Sequence, residues 1–228
     1  MKNWLIVLVC LFTIDPSTAG IVMTGTRVIY PSNQEFVSVQ VNNIGKTDSL
    51  VQSWVDAEDD TISLSDPSAA IFLVTPPISK IEANKGYSLR VIFTNKYNLK
   101  KDRETLFWLN VLEVPEKPKD KKNYLQFAVR SKLKLFYRPE SLNISQEDAF
   151  KKVELNLTGD YVVLNNPTPY FINLGKRSIY LKNGVEKKLN LNYISPFSIK
   201  EFSDIKAADV QRVDMNFIND YGGVYQFK

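Results

Sequence analysis

After residue 19 the apolar positions fall on every second residue, in short runs separated by turn-forming residues, and no segment sustains a helical spacing. Strands are predicted at 25–30, 35–42, 50–56, 70–74, 86–94, 105–114 and 124–137. A second series of shorter, closer runs follows at 151–157, 160–165, 170–174, 178–182, 187–191, 198–202 and 213–218. Between the two series lies Arg138-Pro139-Glu140-Ser141, where a proline that cannot donate to a ladder ends the long strand.

Seven short strands within about 120 residues is the count of an Ig-like sandwich. The expected fold is therefore all-β, with two Ig-like β-sandwich domains in tandem at 20–139 and 140–228.

The run 124–139 carries the most information. Leu125, Phe127 and Val129 alternate with Gln126, Ala128 and Arg130, and the alternation continues through Leu133 and Leu135. It extends well beyond the usual strand of about five or six residues. An ordinary core strand is the plain reading; a strand that serves its own sandwich and leaves edge for another chain is the sharper one.

The first nineteen residues read as a secretory signal peptide: Lys2, then the apolar run WLIVLVCLF, then Ser17-Thr18-Ala19 as a small-x-small cleavage site. That apolar run is too short to span a bilayer. Cleavage after Ala19 leaves 209 of the 228 residues and removes Cys10, the only cysteine. The mature chain then meets an oxidising compartment with no thiol, so its stability must come from burial.

The net charge of +4 is spread among many acids and does not point to nucleic acid. Histidine is absent, which removes the usual general base, the Ser-His-Asp arrangement and nearly all zinc sites. No glycine-rich phosphate loop and no calcium-loop spacing appears, Asp59-Asp60 notwithstanding. The sequence thus predicts a protein that is not an enzyme, with no metal, no cofactor and no small-molecule substrate.

Five segments then give the chain a specific resemblance: Thr26-Arg27-Val28-Ile29-Tyr30, Asp102-Arg103-Glu104-Thr105-Leu106-Phe107-Trp108, Lys132-Leu133-Lys134-Leu135-Phe136-Tyr137-Arg138-Pro139, Asn166-Pro167-Thr168-Pro169-Tyr170 and Ile218-Asn219-Asp220-Tyr221-Gly222-Gly223. In their order and spacing they resemble the periplasmic chaperones of the chaperone–usher pathway that builds fimbriae. The resemblance implies a boomerang of two Ig-like domains, pilin (fimbrial) subunits and an outer-membrane usher as partners, and a periplasmic location. It also implies site residues. Tyr124, Leu125, Phe127 and Val129 match the strand lent to a subunit, Arg27 and Lys134 the two cations that grip the subunit's C-terminal carboxylate, and Glu104, Arg138 and Asp220 an interdomain salt bridge.

Lys134 has the opposite parity to Leu125, Phe127 and Val129, so bringing all four to one face requires a bulge or strong twist between Arg130 and Lys132. Lys132 is the alternative anchor, and Arg130 a weaker one. The stretch PEKPKDKKN, with Lys117, Lys119, Lys121 and Lys122, is short and resembles the short-loop branch of the family; it is either a solvated turn or a segment that orders on a partner. Thr75-Pro76 matches a position with a cis bond. Two features depart from the pattern: Glu82-Ala83-Asn84 stands where many relatives carry Glu-Pro-Gly, and no cysteine pair follows Gly223.

The rival reading is a secreted two-domain Ig-like adhesion or receptor module, indifferent to Arg27 and Lys134. On the chaperone reading, an exposed donor strand also makes self-association of the free form an expectation.

Overall fold

The computed structural model describes residues 20–57, 70–94, 98–117, 124–157 and 159–227. The signal segment, Asp59-Asp60 and Lys119, Lys121 and Lys122 lie outside the described residues.

The first half builds two facing sheets. One has four antiparallel strands in the order β1 (Ile21–Met23), β3 (Val37–Asn43), β7 (Gly86–Phe93) and β5 (Phe72–Thr75). The other has the order β2 (Arg27–Pro31), β9 (Val129–Arg138), β8 (Thr105–Pro115), β4 (Ser49–Ala57) and β6 (Ile78–Ile81). Alternation along these strands puts Val39, Val41, Leu89 and Val91 of one sheet against Val51, Phe107, Leu109, Leu133 and Leu135 of the other. Tyr30 packs its ring among Phe72, Phe93 and Tyr137, and its hydroxyl lies 3.0 Å from the carbonyls of Gln34 and Glu35 and accepts the Phe93 N–H at 3.1 Å. A buried phenol is stable only with its polar tip satisfied, and here the tip ties a strand end to a turn.

The second half is a smaller sandwich. One sheet is β10 (Glu154–Asn156), β11 (Tyr161–Asn166) and β15 (Ser198–Lys206); the other is β13 (Glu186–Lys188), β12 (Ile172–Leu181), β16 (Val210–Ile218) and β17 (Val224–Gln226), with β14 (Tyr193–Ile194) also paired to β12. Its core gathers Phe150, Val162, Leu164, Ile172, Ile179, Phe202, Met215 and Phe217.

The structure departs from the expected elements in several places, each with a local cause. Part of the run at 151–157 gives way to a helix, α1 (Gln146–Lys151), and only Glu154–Asn156 is strand. Ser145 caps α1, accepting the Asp148 N–H at 3.1 Å, and Ala149 and Phe150 are its buried residues. A helix this short leaves no sustained period in the sequence. The two runs at 170–174 and 178–182 are one strand, β12, whose ladder with β16 slips between Leu174 and Arg177. Gly175 sits at that bulge, where a side chain would run into Asn216 and Ile218. The short strands β1, β6 and β14 are held by partners distant in sequence, β17 folds back on the adjacent β16, and none of the four is long enough to carry a period of its own.

The expected strand at 124–137 is shorter. Residues 124–128 make no ladder, and β9 begins at Val129 opposite Glu113. Continuing that register would set Ala128 against Val114 and Phe127 against Pro115, which has no N–H to give a ladder and where β8 ends; the Gln126 amide donates to the Pro115 carbonyl at 2.7 Å.

Candidate binding cleft and open strand edge

The site begins with a strand that changes sheets. β1 pairs with β3, the chain turns at Gly25 with φ +93°, and β2 joins the other sheet beside β9. Positive φ carries little cost for glycine, so the crossover is cheap there. The β2–β9 pairing is parallel and covers only Arg27↔Lys134 through Pro31↔Arg138. On that side, therefore, β9 has no strand partner from Val129 to Leu133 among the described residues. Unpaired amides and carbonyls in a row are a template for a further strand.

The side chains along this edge are apolar and uncovered: Leu125 is 85% exposed, Phe127 70%, Val129 54% and Tyr124 39%. Isolated exposed apolar residues are common, but three at alternate positions beside an open strand edge form a patch of the kind that marks an interaction site.

The β8–β9 register runs from Glu113↔Val129 to Thr105↔Tyr137 without a shift. The bulge expected between Arg130 and Lys132 is therefore absent. A regular pleat places Val129, Leu133 and Leu135 toward the first-domain core side and Lys132, Lys134 and Phe136 toward the second domain. The apolar set and the cations occupy opposite faces because they meet different things. Lys132 lies over the Trp108 ring at 4.8 Å and Lys134 over Tyr193 at 4.6 Å, while Phe136 packs on Phe171 at 5.4 Å.

Arg27 and Lys134 stand at the point where β2 ends its cover of β9. Arg27 Nη1 donates to the Ile218 carbonyl at 2.9 Å, and its Nε is buried with no partner. Burial lowers the Arg27 pKa, partly countered by the charge of Asp220. Lys134 Nζ donates to Asn173 Oδ1 at 2.6 Å. The two cations thus stand side by side, each held from the second domain, in an arrangement whose chemistry suits a carboxylate or another small anion.

Glu104, Arg138 and Asp220 come together as a bridge. Arg138 Nε donates to Glu104 Oε1 at 2.7 Å, while Nη1 and Nη2 donate to the two oxygens of Asp220 at 2.6 and 3.0 Å. The guanidinium fork suits two carboxylates at once. Glu104 is 3% exposed, and its second oxygen accepts the Phe171 N–H at 2.8 Å while its own N–H donates to the Pro169 carbonyl at 2.9 Å. Burial pushes the Glu104 carboxyl up to about 7, against the pull of Arg138 and of the Phe171 N–H. Burial also works against the charge of Arg138, but its hydrogen bonds and the fields of Asp220 and Glu104 hold it above the ordinary arginine value.

The motif around Asn166 serves this contact. Asn166 is fully buried, its amide nitrogen donates to the Tyr170 and Ser195 carbonyls at 2.8 Å, and its oxygen accepts the Thr168 N–H at 3.1 Å. The turn so fixed aims Pro169 and Phe171 at Glu104. Around it, Leu106, Phe136 and Phe171 form an apolar plug between the domains, and Arg103 stacks on Phe197 at 4.7 Å. Asn173, Tyr193, Phe171, Gln146 and Phe197 belong to this assembly but were not legible as site residues, since each is a single residue of ordinary type within a strand, helix or turn. Gln146 holds Asp220 in place, donating to its carboxylate at 2.7 Å and accepting its N–H at 3.1 Å.

Away from the cleft, Thr75-Pro76 is cis as expected. At the departure from Glu-Pro-Gly, the Ala83 N–H donates to Asp48 at 3.1 Å, a bond that proline has no hydrogen to make. Lys117 is exposed.

The structure combines two Ig-like sandwiches joined at a buried charge bridge with a basic cleft and an open, apolar strand edge beside it. Residues 20–143 match the model for the pili and flagellar-assembly chaperone PapD N-terminal domain, and residues 148–227 match the model for the pili assembly chaperone PapD C-terminal domain. The chain belongs to this family of pilus-assembly chaperones. The chaperone protein HifB of Haemophilus influenzae is 37% identical over 213 residues, which cover 90% of this chain and 86% of HifB. The crystal structure of the YadV chaperone superposes with a TM-score of 0.73 at 34% identity, covering 91% of this chain and 98% of that one. YadV is described as a probable fimbrial chaperone of Escherichia coli strain K12. The SafB chaperone of Salmonella enterica, solved in complex with the SafA pilin, gives a TM-score of 0.74 at 28% identity, covering 93% and 97%.

Proposed function

We propose that this chain is a periplasmic chaperone that binds pilin subunits by completing their unfinished sheet with its own strand, and passes them to an outer-membrane usher for fimbria assembly. Strand addition of this kind is a mode already known from chaperone–pilin complexes, and SafB solved with its pilin supports it here. On this reading the chain acts by binding and carries out no chemical step, residues 1–19 are removed after Ala19 on export, and the domains divide at 20–139 and 140–228.

One observation carries the reading: the open edge of β9 stops at Arg27 and Lys134. A strand with side-chain period two needs a fixed end, because a slip of one residue turns the wrong side chains inward. A guest strand lying along 125–133 with its terminal carboxylate on the two cations has that fixed end. Its direction follows. β2 runs parallel to β9 and begins at Arg27, so a guest whose C-terminus abuts Arg27 also runs parallel to β9. Leu125, Phe127 and Val129 then enter the guest, each burial contributing roughly 1.5–3 kcal/mol before ordering costs are subtracted. The Glu104–Arg138–Asp220 bridge keeps the domains at the angle that shapes the cleft.

The test is co-production of a pilin with Arg27→Ala or Lys134→Ala. The reading predicts that soluble pilin is lost in both, each lost carboxylate contact weakening binding by about tenfold or more. Unchanged pilin levels would instead support an adhesion module.

A further inference from the structure

Both cations of the carboxylate site belong to the first domain, yet each is engaged by the second. Lys134 donates to Asn173 Oδ1 at 2.6 Å and lies over the Tyr193 ring at 4.6 Å. Asn173 and Tyr193 are directly opposite each other in the β12–β14 ladder, so a single cross-strand pair offers Lys134 an amide oxygen and an aromatic face together. Asn173 is only 4% exposed, which restricts its rotamers and fixes where that oxygen lies.

We propose that Asn173 is a positioning residue for guest recognition: its amide oxygen holds the Lys134 ammonium in the cleft, aimed at the guest's terminal carboxylate, and brings no charge of its own to the site. This rests on the carboxylate reading given above. The chemistry of the residue type is central to it. An ammonium has three donors, and the bond to Asn173 uses one of them. A neutral oxygen orients the cation without cancelling it. Aspartate at the same place would form an ion pair with Lys134, occupy it as the guest's carboxylate does, and repel that carboxylate. An apolar residue would leave the long lysine side chain without its guide.

The test is binding of a short, soluble synthetic strand of alternating valine and threonine, made once with a free C-terminal carboxylate and once as the C-terminal amide. The wild-type chain is expected to prefer the acid by about tenfold or more. Asn173→Asp is expected to abolish that preference, and Asn173→Ala to reduce it several-fold. The ratio of acid to amide isolates the anchor, because general damage to the fold weakens both peptides alike. An Asn173→Asp protein that keeps the wild-type ratio overturns the inference. If that variant does not fold, an unchanged ratio in Asn173→Ala overturns it in the same way. A wild-type chain that binds both peptides equally contradicts the carboxylate reading itself, a different result from either.

Discussion

Arg27 and Lys134 face each other as the first pair of the parallel ladder between β2 and β9, and beyond that pair the edge of β9 is open. Charge and vacancy therefore meet at one point. On the proposed reading an added strand would find its backbone partners along β9 and its end-stop at the cations, so that register and identity would be read in the same place.

Separation of folding from binding is the first consequence. Leu125 and Phe127 are 85% and 70% exposed and make no ladder, so replacing both with serine should leave the thermal midpoint nearly unchanged, within about 0.5 kcal/mol of stability. Capture of a pilin by the same variant should fail. A variant that still captures pilin would show that these side chains are not the insert.

Arg138 gives the opposite pattern. Its removal leaves Glu104 buried against the second domain without its cation, a loss of the kind that costs about 3–5 kcal/mol. Denaturant unfolding of Arg138→Ala should show that loss, accompanied by lower pilin yield. Arg138→Lys should recover only part of it, since an ammonium cannot span Glu104 and Asp220 with the fork that the guanidinium provides.

Acidity should act through Glu104. Its ordinary value of 4.5 is raised to about 7 by burial, so between these values the folded protein keeps a proton that the unfolded chain has released. The stability contributed by this group is present below the lower value and is lost as pH rises through the upper one. Melting temperatures of wild type and Glu104→Gln, compared across that window, should show the wild-type advantage shrinking as pH rises and levelling above about 7. A difference that stays constant with pH would show that Glu104 does not titrate there.

Much of this architecture was legible in the sequence because strands with one buried face write their period into it. β3, β4, β7, β8, β11 and β16 lie close to the predicted runs. The segment 124–129 was visible as alternation at Leu125, Phe127 and Val129, but its pairing was not: alternation does not mark where a ladder ends, and the pairing of β9 to β8 stops at Val129 opposite Glu113, before β8 itself ends at Pro115. The expected bulge near Arg130 came from assuming that insert and anchor share a face. The regular register of β9 shows that they do not need to. Arg27, Lys134, Glu104, Arg138 and Asp220 were recognisable only through the motifs around them, because a lone surface cation or acid carries no signal. Asn173 and Tyr193 had no such motif; their part in the cleft comes from a two-residue strand, β14, pairing across to β12.

A structure of this chain bound to a pilin tests the central claim most directly. The account predicts the pilin's terminal carboxylate on Arg27 and Lys134, its last strand running parallel to β9 along 125–133, and Leu125, Phe127 and Val129 inside the pilin's open core. A pilin terminus far from the two cations, or a strand laid along β9 in the opposite direction, would contradict it.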